Sequence, residues 1–197
     1  MSFDPRSFRQ ALGCFATGIT VVTSVGLDGE YLGFTANSFN SVSLDPPLVL
    51  FSLDRGAYSL KAFEAAGVFA INILREDQEA VSIAFARALS SKWEGVRTEI
   101  WQTGSPILVD ALASFDCETI SMHDGGDHVI FVGRVLRLRA GVDGRPLLYF
   151  RGAYRQINEV SLNQFKTLPA AEGNWSEIGW HSVSNWLPLL AATEGGV

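Results

Sequence analysis

His128 follows a glycine pair in GGDHVIF, Gly125 to Phe131, and opens an apolar run. An imidazole there can hold a hydrogen-bonding partner, and the glycines leave room for a close approach to the backbone; a histidine at a strand start also serves structure alone. Upstream, GFTANSFNSVSLDPPLVLFSL, Gly33 to Leu53, gathers Thr35, Asn37, Ser38, Asn40, Ser41 and Ser43 with no charge before Asp45. Small hydroxyls and amides beside an accessible backbone suit the rim of a flat, neutral ring such as a flavin, edged by N5, O4, N3 and O2. The same residues also serve loops that satisfy their own backbones, and composition leaves both readings open.

A phosphate needs hydroxyls, exposed amides or a base. Ser59, at a predicted helix start with Lys61 inside it, offers one such place, and Lys92 in ARALSSKWEGV offers another. A lysine is as readily a solvated surface residue. Were a nicotinamide to stack on a bound ring, His128 could hydrogen-bond its amide and hold the hydride-bearing carbon in place.

These residues sit on short, mostly extended elements. Asp4-Pro5 predicts a helix start, with Phe8, Leu12 and Phe15 on one face. Ile19 to Val25 and Tyr31 to Ala36, joined through Asp28-Gly29, read as a hairpin, and Leu48 to Leu53 follows Pro46-Pro47 as the next strand. Ser59 to Ala66 reads as a helix with a capping serine and a terminating Gly67, Val68 to Leu74 as a strand. Glu76 to Leu89 reads as a helix burying Val81, Ala84, Phe85 and Ala88. Ala113 to Met122 and His128 to Leu138 are longer strands joined by HDGGD; Gly141 to Gly144 turns into PLLYF and a last strand around Tyr154 to Ile157. Strands this numerous, with few helices, predict a small antiparallel barrel rather than a doubly wound parallel sheet.

The chain has 197 residues, a net charge of −6 and a pI near 5.0 with no basic patch, which argues against a nucleic-acid partner. Cys14 and Cys117 lie far apart in apolar runs and read as small buried hydrophobes in a reducing compartment. The N-terminus does not read as a signal peptide and no apolar run is long enough to cross a bilayer, so a soluble cytoplasmic protein is expected. His123, His128 and His181 form no ligand set, and HExxH, CxxC, GxSxG, P-loop and strand-following GxGxxG motifs are absent, so neither a metal site nor a Rossmann nucleotide site is expected.

Taken in order, ATGITVVTS, GFTANSFNSVSLDPPLVLFSL, FAINIL, FA with KWEGV, and GGDHVIFVGRV resemble the short-chain flavin reductase family over roughly residues 3 to 157. The resemblance implies a mainly β, FMN-binding antiparallel split barrel with a few short helices, acting as a homodimer. It implies hydride transfer from NADH or NADPH to FMN or FAD, with free reduced flavin passing to a partner monooxygenase. Carried over by motif, Thr35, Ala36, Asn37 and Ser38 contact the isoalloxazine, with Ser52 beside it. Ser59 and Lys92 match the phosphate end; His128, with Gly126 and Asp127, lines the nicotinamide pocket, and Tyr154 of the closing GxYR pattern stands on that side. Two alternatives share the fold: a flavoprotein that retains FMN and reduces another acceptor, and a non-catalytic flavin binder.

Members of that family usually end soon after the GxYR strand, whereas this chain continues. Residues 1–157 are expected to form the reductase-like domain. Residues 158–197, with Trp175, Trp180, Trp186, Leu187, Leu189 and Leu190, are expected to form an extension packed on the barrel or on the dimer partner.

Overall fold

The computed structural model describes residues 3–88, 90–140 and 143–157. The chain divides after Ile157 into two units, and the described residues lie in the first. The expectations about the extension, and about the ends of segments at Leu89 and Gly141, fall outside the described residues.

Helix α1 spans Pro5–Leu12. Its start follows from the sequence: the Asp4 carboxylate accepts the Ser7 amide at 3.0 Å, and Pro5 occupies the first turn, where no amide is needed. The strands and helices that follow are β1 (Thr17–Gly18), β2 (Thr20–Val25), β3 (Tyr31–Ala36), β4 (Asn40–Leu44), β5 (Pro47–Asp54), α2 (Leu60–Ala66), β6 (Val68–Ile73) and α3 (Glu79–Phe85). After a 3₁₀ turn at Ser90–Trp93 come β7 (Thr98–Ile100), β8 (Pro106–Leu108), β9 (Ala113–Gly125), β10 (His128–Arg139), β11 (Leu148–Phe150) and β12 (Ala153–Arg155).

Seven strands form one antiparallel sheet in the order β3-β2-β6-β9-β10-β5-β4. Its two edges, β3 and β4, are joined by Asn37, Ser38 and Phe39 alone. Four peptide steps reach at most about 14 Å. Laid flat at about 4.8 Å per strand, the sheet would hold its edges roughly 29 Å apart. The sheet therefore curls until its edges approach. Among the described residues no ladder joins β3 to β4, which leaves the barrel split.

Period-two alternation sends Val49, Phe51 and Leu53 of β5 inward. Phe51 stacks on Phe131 with ring centroids 4.8 Å apart and meets Phe69 edge-on at 4.9 Å. Phe63 of α2 closes this core against Phe34 and Phe51, and Val22, Ile71 and Cys117 complete it. A second cluster, Ile19, Val21, Leu74, Phe85, Leu108, Ala111 and Leu147, lies under α3.

The antiparallel, mainly β architecture is the expected one, and several local expectations change. Asn40–Leu44 reads as loop by its serines and asparagine but forms strand β4, because β5 offers it a ladder from Asn40↔Leu50 to Leu44↔Pro47. Asp45-Pro46 reverses the chain between them. Helix α3 begins at Glu79 rather than Glu76, since the Glu76 amide donates to the Arg145 carbonyl at 2.8 Å and Arg75 bridges to Pro146. It ends at Phe85, leaving Ala88 exposed rather than buried. Ser59 precedes α2 in helical conformation and its hydroxyl makes no capping bond. Cys14 is exposed, whereas Cys117 is buried as expected. Among the described residues no helix is long and apolar enough to cross a membrane.

Candidate functional site

The edge-to-edge connection carries the neutral residues. Thr35, at the end of β3, donates its hydroxyl to the Ser82 carbonyl on α3 at 2.6 Å. The Ser82 hydroxyl stands 2.9 Å from Tyr154 Oη on β12. Ala36 is buried and turned into the core, and its carbonyl accepts the Thr20 hydroxyl at 3.0 Å, so its side chain is not presented to a ligand. Asn37 is exposed. Ser38 is tied across to β5: its hydroxyl donates to the Ser52 carbonyl at 3.1 Å and accepts the Ser52 amide at 3.0 Å. Both hydroxyl hydrogens are thus spent on the protein, and what remains for a ligand is oxygen lone pairs, main chain and the Asn37 amide.

Strand β5 carries the constellation onward. Ser52 pairs with Ile130 and Asp54 with His128, so Ser52, Ile130 and His128 share the sheet face opposite the buried Phe51 and Phe131. Gly125 pairs with His128, which leaves Gly126-Asp127 as a two-residue reversal; Gly126 has φ 77°, a region that favours glycine. Asp127 lies 2.7 Å from His128 Nδ1. That bond, and the histidine's charge when protonated, hold the Asp127 carboxyl below its ordinary value of 3.8. An ionised carboxylate only accepts, so Nδ1 bears the hydrogen and Nε2 of the neutral ring is an acceptor. The His128 side chain is 41% exposed.

Lys92 lies in the 3₁₀ turn beside β3, with Nζ 2.7 Å from the Gly33 carbonyl and 5.8 Å from the Phe85 ring centroid. Burial pushes its pKa down. Gly33 must be glycine: a Cβ would stand 2.7 Å from Phe85 and 3.2 Å from Trp93. The structure thus links Thr35 to Tyr154 through Ser82, links Ser38 directly to Ser52, and brings His128 alongside Ser52 through the β5–β10 ladder. Lys92 joins at the β3 backbone. Ser59 is not bonded into this set through its hydroxyl.

Sequence reasoning missed Ser82 and Arg55. Ser82 is fully buried yet polar, inside a helix whose neighbours are apolar, and that contrast was the available signal. Arg55 holds the His128 hairpin, donating Nε to the Gly126 carbonyl at 2.8 Å and pairing with Asp124 at 3.1 Å. A surface groove of about 480 Å³ lies between Arg9, Gln10, Gly13, Cys14, Arg151 and Gly152 and contains none of the candidate residues. Among the described residues no cluster of three or more His, Cys, Asp or Glu is arranged to hold a metal.

The family described as flavin reductase like domain matches residues 12–158. The reductase subunit HsaB of a flavin-dependent monooxygenase from Rhodococcus jostii is 41% identical over 169 residues, spanning 86% of this chain and 84% of that protein. The FMN reductase (NADH) SmoA of Agrobacterium fabrum is 46% identical over 155 residues, 79% of this chain and 87% of its own. Among solved structures, the NADH:FAD oxidoreductase SgcE6 of Streptomyces globisporus, in complex with NAD and FAD fragments, superposes with a TM-score of 0.74 at 33% identity, covering 80% of this chain and 97% of that one.

Proposed function

The chain belongs to the flavin reductase-like family, and from that premise we propose that the connected surface from Thr35 to His128 is where its flavin and nicotinamide nucleotide meet. The protein is a flavin reductase that takes hydride from NADH and supplies reduced flavin to a monooxygenase component. When bound, the two nucleotides supply the hydride donor and acceptor; the chain supplies binding, orientation and exclusion of water.

The residues fit that pair of ligands. From Thr35 to Leu44 no side chain is charged, so the Asn37 amide, the main chain and the bonded hydroxyls of Thr35 and Ser38 form a neutral rim for a neutral ring. Ser52 stands beside that rim through Ser38. His128 Nε2, left as an acceptor by the Asp127–Nδ1 bond, matches the N–H of a nicotinamide carboxamide. Gly126 and Asp127 shape that side, and Tyr154 closes it through Ser82. Lys92 and Ser59 serve the flavin phosphate. The neutral rim also lets the product leave: reduced flavin gains negative charge, and a cation at the ring would retain it.

The single observation that carries the reading is the bond pair between Ser38 and Ser52, which places the neutral rim beside the strand that pairs with His128. The protein works as a homodimer in this reading, supported by α1, which buries no residue and leaves Phe8 and Leu12 54% and 58% exposed, and by Phe15 just beyond it, 75% exposed. The test is anaerobic mixing with NADH and a several-fold excess of free FMN. Bleaching of the whole flavin pool is expected. Bleaching of a protein-equivalent amount indicates a retained cofactor serving another acceptor, and no bleaching indicates a binder.

A further inference from the structure

Arg55 follows Asp54, the last residue of β5, and reaches across to the hairpin that ends β9 and begins β10. Its main-chain amide donates to the Asp127 carbonyl at 2.9 Å. Nε donates to the Gly126 carbonyl at 2.8 Å, and Nη2 lies 3.1 Å from Asp124 Oδ1. The same carboxylate oxygen accepts the Gly126 amide at 2.8 Å. One residue therefore grips three positions of the tip, at 124, 126 and 127, immediately before His128.

The Arg55 side chain is 46% exposed and Asp124 80%, so as an ion pair it adds little to stability. Its geometry is another matter. The tip itself is exposed, and among the described residues the Gly126-Asp127 reversal pairs with no further strand. Arg55 is also three residues from Ser52, which Ser38 fixes to the neutral rim. We propose that Arg55 is a positioning residue that sets His128 relative to the flavin rim, so that nicotinamide binding and hydride transfer depend on it although it contacts neither reacting group. The inference rests on the reading of His128 given above.

A lysine cannot replace the fork, because an ammonium does not present Nε and Nη2 to two acceptors in a fixed plane. The test compares Arg55→Ala, Arg55→Lys, His128→Ala and the double variant Arg55→Ala/His128→Ala by anaerobic stopped-flow, with flavin affinity from fluorescence. Hydrogen exchange of amides 124–128 is measured on the ligand-free protein. Both Arg55 variants are expected to exchange faster at the tip, to keep flavin affinity within about twofold, and to lose roughly ten- to a hundredfold in kcat/KM for NADH. The double variant should be no worse than His128→Ala. Unaltered exchange or kinetics in the Arg55 variants, with His128→Ala impaired, overturns the clamp. Additive losses in the double variant overturn action through His128. Normal kinetics in His128→Ala overturns the reading beneath both. If Arg55→Ala does not fold, Asp124→Ala removes the acceptor of Nη2 and of the Gly126 amide and is judged by the same criteria.

Discussion

The hydroxyls of Ser82 and Tyr154 stand 2.9 Å apart, and the carbonyl of the same serine accepts the Thr35 hydroxyl at 2.6 Å. One buried residue thereby couples the proposed flavin rim to the tyrosine of the closing strand. Among the described residues the Tyr154 side chain is otherwise held by packing, its ring edge-on to Tyr149 at 5.6 Å. Tyr154→Phe and Ser82→Ala should each raise KM for NADH by up to about tenfold, the effect of losing a hydrogen bond of about 0.5–1.5 kcal/mol. Their double variant should match either single one, since one bond is removed in all three. Additive effects would mean that the two hydroxyls act separately.

The two cysteines differ in surroundings and should differ in reactivity. Cys14 is exposed, its thiol donating to the Gln10 carbonyl at 3.5 Å. Burial pushes the Cys117 thiol well above its ordinary value of 9.0, and the neighbouring Asp116 adds to that, so almost no thiolate forms at neutral pH. Titration of the native protein with a chromogenic disulfide should release one equivalent quickly, and Cys14→Ser should abolish that phase. The second equivalent should follow global unfolding.

Gly133 gives the tightest test of the barrel interior. A Cβ there would lie 2.2 Å from Phe69 Cζ and 3.2 Å from Cys117 Cβ, between groups that are themselves buried. Neither the ring nor the strand can retreat without disturbing Phe51, which Phe69 meets edge-on. Gly133→Ala should cost about 1–3 kcal/mol in denaturant unfolding, as overpacked cores do. An unchanged midpoint would show that the Phe69 ring turns aside freely.

The sequence made the strands legible wherever burial imposed a pattern. Leu48 to Leu53 and the start of His128 to Leu138 are short, near-continuous apolar runs bounded by turn residues, and the β2–β3 hairpin is announced by Asp28-Gly29. Strand β4 was not legible, because Asn40, Ser41 and Ser43 carry loop chemistry and become a strand only when β5 supplies a ladder. Of the proposed site, the neutral polar run and the glycine pair were visible in the composition, which left a plain loop role open, and their assignment to flavin and nicotinamide came from the family resemblance. Ser82 and Arg55 were not visible there, because their roles are made by contacts 72 and 71 residues away in sequence.

Lys92 joins the remaining question, the flavin phosphate, to a pH effect. Its Nζ reaches the Gly33 carbonyl at 2.7 Å, and burial lowers its pKa from 10.5. Between the lowered value and 10.5 the unfolded chain still holds a proton that the folded chain has released, so the stability contributed through Lys92 rises with pH across that interval. The unfolding midpoint of the wild type relative to Lys92→Met should therefore climb as alkali is added. If the ammonium also faces the phosphate at neutral pH, the same variant should lose affinity for FMN while binding riboflavin as before. Equal losses for the two ligands would assign Lys92 to holding β3 through Gly33, and would leave the phosphate to the region of Ser59.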